Sequence, residues 1–176
     1  MVQVSQVRTR SFAPLWRGLD FGPAVVVLAP GSRQPAELPA AWRPLEERFQ
    51  IAWCAVPEDV ESVDRVEDVL ETLADRNIRT HVVAHTALTD VATRLVGEFS
   101  HIVRGLVLVG ASRTPQPTGV RTRVVAPGAD PDLTRPDVVR DVLAAVDAGE
   151  AANVRLDLPN YNRMTLGRLR VEVGRP

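Results

Sequence analysis

The chain has 176 residues, enough for one domain with a real core and too few for two full ones. A formal net charge of −1 leaves no cationic excess for nucleic acid or an anionic membrane surface, and a lone cysteine, Cys54, excludes an internal disulfide. No apolar run approaches the ~18 residues of a membrane span, and the N-terminus shows no apolar leader core, so the expectation is one cytoplasmic domain over residues 1–176.

Residues 1–21 hold two polar–apolar stretches, VQVSQVRTR and LWRGLDF, which predict an antiparallel hairpin at a sheet edge. AVVVL (24–28) is a continuous apolar run between Gly22-Pro23 and Pro30-Gly31, the pattern of a strand buried on both faces. Residues 40–48 predict a short helix interrupted at Pro44, and FQIAWCAV (49–56) a second buried strand. Asp64 and Glu67 resemble a capping box, followed by Val66, Val69, Leu70 and Leu73 at helical spacing, with Asn77 as the stop. A third strand spans 80–84, and a helix with Leu88, Val91, Ala92, Leu95, Val96 and Phe99 on one stripe follows it. RGLVLV (104–109) and RTRVVA (121–126) are the fourth and fifth strands, with the loop RTPQPTG between them. A helix opened by Pro136 carries Val138, Val139, Val142, Leu143 and Val146 and is expected to end at Gly149. NVRLDL (153–158) is expected as a sixth strand, and LGRLRVEV (166–173) alternates like another. Strands alternating with helices predict an α/β class: a doubly wound, mostly parallel sheet with helices on both faces.

The segment 80–90, THVVAHTALTD, joins an apolar strand to the start of an amphipathic helix. That is the place of the nucleophile elbow G-x-S-x-G; here the five residues are Ala84, His85, Thr86, Ala87 and Leu88. The order of elements resembles the α/β-hydrolase superfamily along nearly the whole chain. The turn at Leu28-Ala29-Pro30-Gly31 stands where that family has its oxyanion loop, and RGLVLVGAS (104–112) resembles its next strand. VVAPGADPD (124–132) resembles the strand and turn that deliver the acidic triad member, and LPNYNRM (158–164) lies where the catalytic histidine is presented. Only a short segment stands where the family inserts a lid.

The resemblance implies Thr86 at the nucleophile position, His85 beside it, and Asp130 or Asp132 at the acid position. The chemistry departs from the family. His81, His85 and His101 are the chain's histidines, so none follows the acidic turn. Asn160, Asn162 and Arg163 stand near the expected base, and neither side-chain type accepts a proton at neutral pH. Thr86 and His85 also read plainly as a turn hydroxyl and a packed imidazole, and Asp130 and Asp132 as turn residues. Cys54 reads as a buried small residue; Trp16, Trp42 and Trp53 read first as packing and second as cavity walls. No metal-ligand spacing and no nucleotide loop motif occurs, so no cofactor is expected.

The expected ligand ring is Ala29, Pro30, Ser32, Arg33, His85, Thr86, Asp130 and Asn162, with Arg33 available to a carboxylate. The expected function is a divergent member lacking the Ser-His-acid triad. It would bind a small organic molecule, acyl or polyketide-like, and act non-hydrolytically, as a cyclase or lyase in biosynthesis. A non-enzymatic binding or scaffold protein and a divergent esterase or thioesterase using Thr86 are the alternatives. The expected partners are a small-molecule ligand and, over the lid-less face, a second copy or a protein partner; nucleic acid and membrane are not expected.

Overall fold

The computed structural model describes residues 13–57, 63–110, 119–126 and 131–157, with 152–157 as helical backbone. Its centre is a six-stranded sheet of β1 (Leu15–Gly18), β2 (Ala24–Pro30), β3 (Gln50–Val56), β4 (Thr80–His85), β5 (Val103–Val109) and β6 (Arg121–Val125), in the order β1-β3-β2-β4-β5-β6. β1 pairs antiparallel with β3, and the remaining pairs are parallel. The antiparallel edge strand is as expected; its expected partner over residues 1–9 lies outside the described residues.

Period-2 alternation within each strand builds two cores, because successive side chains face opposite sides of a sheet. Val26, Leu28, Val82, Ala84, Leu106 and Leu108 pack beneath α1 (Asp64–Asp75) and α2 (Thr89–Glu98). Val25, Val27, Val83, Val107 and Val109 pack beneath a 3-10 helix at Ala40–Leu45 and α3 (Pro136–Asp157). The sheet is therefore covered on both faces, the condition for parallel strands. Among the described residues no helix is long and apolar enough to cross a membrane.

Three local expectations are corrected. Val63, not Asp64, is the N-cap of α1 and makes no side-chain capping bond, and Asp64 is the first helical residue. Asp64 and Glu67 instead place negative charge in the first turn, where the helix dipole favours it. Glu67 also pairs with Arg94 of α2 at 3.0 Å. The second and third corrections concern α3, which runs through Gly149 to Asp157, so residues 153–157 are helix rather than strand. A Cβ on residue 149 would stand 3.1 Å from Cε1 of His81, so this glycine lets the helix lie against the sheet. The Ala, Glu, Leu and Arg of residues 150–156 carry enough helical propensity to continue past it. Asn77 does end its helical segment, at φ 50°, in the left-handed region that asparagine tolerates.

Candidate functional site

The connections from β2 and β4 leave the sheet in opposite directions. β2 leads outward to β3 through the helical turn on one face, and β4 leads to β5 through α2 on the other. Their carboxyl ends thus flank a topological switch point, where the diverging loops leave a crevice. A cavity of about 430 Å³ lies there, lined by Ala29, Pro30, Trp53, His85, Pro131, Asp132, Leu133 and Thr134. Its size falls within the range of small-molecule sites.

The β4–α2 turn is relaxed. His85 is extended (φ −65°, ψ 148°), Thr86–Leu88 form one 3-10 turn, and α2 follows at Thr89. Among the described non-glycine residues the positive φ values belong to Asn77 and Ala126, so Thr86 does not hold a strained elbow conformation. The Ala87 amide donates to His85 Nδ1 at 3.1 Å. With Nδ1 accepting, the neutral ring carries its proton on Nε2, and its single lone pair is committed to the backbone. His85 is 7% exposed. The Thr86 methyl lies 3.5 Å from where a Cβ on Gly110 would stand, and the Pro131 ring only 2.4 Å from it. The left-handed φ of 88° at Gly110 admits this three-way approach of β5, the 131–134 turn and Thr86.

The far wall is held by tryptophans and one glutamine. Trp42 donates Nε1–H to the Leu133 carbonyl at 2.8 Å and meets Trp53 edge to face at 5.5 Å. Gln34 donates to the Trp53 carbonyl at 2.7 Å and accepts from the Ala55 amide at 2.9 Å. Its amide thus continues the ladder of β3 beyond the reach of β1. Asp132 Oδ1 accepts from both the amide (2.8 Å) and the hydroxyl (2.7 Å) of Thr134. Those bonds hold the Asp132 carboxyl below its ordinary range.

Of the expected ring, Ala29, Pro30 and His85 line the cavity. Ser32 and Arg33 are exposed on the loop after β2 and do not line it, because Gln34 pins that loop against β3 instead. Thr86 is half-buried behind the wall, its methyl turned toward Gly110 and Pro131. Asp130 and Asn162 lie outside the described residues, whereas Asp132 stands in the wall. Leu133 was not singled out by the sequence; its signal was adjacency to the acidic turn. Cys54 is buried and its thiol is pushed up to about 12 by desolvation, which makes it a packed residue. Among the described residues no cluster could hold a metal ion.

No family model matches the chain, and no curated protein matches it. Among solved structures it is similar to a bacterial membrane phospholipase A at 19% identity and a TM-score of 0.40, covering 60% of this chain and 40% of that one. A marine microorganism esterase matches at 14% identity and a TM-score of 0.38, with coverage of 78% and 52%. A haloalkane dehalogenase from Bradyrhizobium elkani matches at 16% identity and a TM-score of 0.38, with coverage of 57% and 39%. The chain thus spans between 39% and 52% of the length of these proteins.

Proposed function

We propose that this protein is a divergent α/β-hydrolase-like protein that binds a small organic molecule at the switch-point cavity and does not hydrolyse it. The strand order with an antiparallel edge, together with the strand–turn–helix at β4, supports the hydrolase-like part of the reading. One contact carries the non-hydrolytic part: the Ala87 amide bonded to His85 Nδ1. In a hydrolase the amide after the nucleophile serves the oxyanion hole, and a free imidazole lone pair takes the nucleophile's proton. Here one hydrogen bond occupies both groups. The unstrained turn at Thr86 and the inward-packed methyl agree with this. Ligand positioning in such a cavity suits a cyclisation or elimination guided by shape, since orientation alone lowers a barrier substantially.

The test is direct. Purified protein should show no turnover of p-nitrophenyl esters above buffer and no labelling by a fluorophosphonate probe, since loss of a triad member costs several powers of ten. Stoichiometric labelling abolished by Thr86→Ala would instead establish the divergent esterase.

Cover for a bound ligand belongs to the same reading. Residues 110–120 are the segment between β5 and β6, short beside the lids inserted at that place in the resembling family, and a second copy or a partner would supply the cover. Sedimentation velocity at micromolar concentration should show a species heavier than the monomer; a monomer there removes the second copy.

A scaffold role without chemistry is the second reading, and one observation favours it. Trp16, Leu19 and Phe21 are exposed together at the β1 edge, Phe21 by 78%, with the Arg76 guanidinium over its ring.

A further inference from the structure

We propose that the switch-point cavity selects an organic cation, with an alkylammonium group received by the Asp132 carboxylate beside the Trp53 wall. The inference rests on the ligand-binding reading above and adds the charge class of the ligand. Among the described wall residues, Asp132 is the one that carries a formal charge. Ala29, Pro30, Pro131 and Leu133 supply apolar walls, and His85 accepts the Ala87 amide at Nδ1.

The carboxylate is prepared for this. Both bonds from Thr134 fall on Oδ1, which fixes the carboxylate's orientation while keeping it ionised. Among the described residues no bond is made to Oδ2, the oxygen left to accept from a ligand N–H. The nearby Arg135 makes its hydrogen bonds to Asp137, at 3.0 and 2.6 Å, and acts on Asp132 only as a weaker charge at a distance. Arg33, the residue that would have favoured an acid, stands on the exposed loop and contributes nothing to the wall. A charge-assisted N–H···O bond beside an aromatic wall favours an ammonium over its neutral and acidic counterparts.

Three probes of similar shape and different charge test this by titration calorimetry at low salt: 2-phenylethylammonium, 2-phenylethanol and 3-phenylpropanoate. The ammonium should bind about tenfold or more tightly than either counterpart. Asp132→Asn retains an acceptor for Thr134 and should melt like the parent. It should weaken the ammonium about tenfold while leaving the alcohol unchanged. Pro30→Phe, which fills the cavity, should abolish binding of all three. Equal or tighter binding of the alcohol or the acid, or an unchanged ammonium affinity in Asp132→Asn, overturns the cation selection and leaves the cavity reading standing. Failure of every probe to bind, or binding indifferent to Pro30→Phe, overturns the cavity reading and the cation with it.

Discussion

Gly110 and Cys54 show how single positions set the limits of this fold. At Gly110 the backbone is left-handed (φ 88°) and the Pro131 ring occupies the space a Cβ would need. Gly110→Ala should therefore cost about 2–4 kcal/mol from backbone strain and overpacking together. Urea denaturation measures it, and a loss below the error of the method would mean that the 131–134 turn does not pack on β5. Cys54 is a different case, because its packing appears as chemistry. A thiol held up to about 12 by burial should alkylate with iodoacetamide at pH 8 far more slowly in the folded protein than in 6 M urea. Rapid labelling of the folded chain would contradict its place in the core. His85 belongs to the same scale. The sequence marks it as the imidazole at the turn, but only the 3.1 Å contact with Ala87 reveals which nitrogen is engaged.

At the scale of elements, the strands were the most legible part of the sequence. AVVVL, QIAWCAV and GLVLV read as strands because continuous apolar runs flanked by turn residues suit a sheet buried on both faces. The end of α3 was not legible. Glycine is a helix stop when its conformational freedom matters, and a contact residue when its lack of a side chain matters. Gly149 is the second kind: it and Gly105 flank the ring of His81, which is 1% exposed and meets Glu150 at 2.7 Å. Gly149→Leu should consequently lose about 1–3 kcal/mol through crowding of that ring. If helix termination were its role, added side-chain bulk would meet only solvent. Equilibrium unfolding of the variant distinguishes the two, and a stabilised protein would remove the close approach.

For the whole molecule, pH reports on what folding does to its ionisable groups. The Cys54 thiol is raised from 9.0 to about 12 in the fold, so the unfolded chain loses this proton first as pH rises. The stability it contributes is complete below the ordinary thiol range and declines from there towards pH 12. Thermal melts should therefore show an alkaline fall above about pH 9 that is shallower in Cys54→Ala. An identical slope in both proteins would place the thiol in water. The carboxyls of Asp132 and Asp137 are lowered, the first by Thr134 and the second by Arg135. Their contribution has the opposite sign: present above the ordinary carboxylate range and lost as pH falls through it. Both are exposed, so solvent screening keeps that acid limb small.

The sequence by itself determined the α/β class, the run of strands and the helix stripes that cover them, since these follow from local periodicity and turn chemistry. It also determined which titratable groups the chain possesses, including the lack of any histidine beyond His101. Tertiary structure decided which of those groups meet. Gln34 draws Ser32 and Arg33 away from the cavity by pairing with β3, and Trp42 ties the Leu133 carbonyl to the opposite connection. Asp132 and Trp53 come to line one cavity because the crossovers diverge between β2 and β4. Such contacts join residues far apart in the chain, and no local pattern encodes them; they exist only once the sheet order brings the strand ends together.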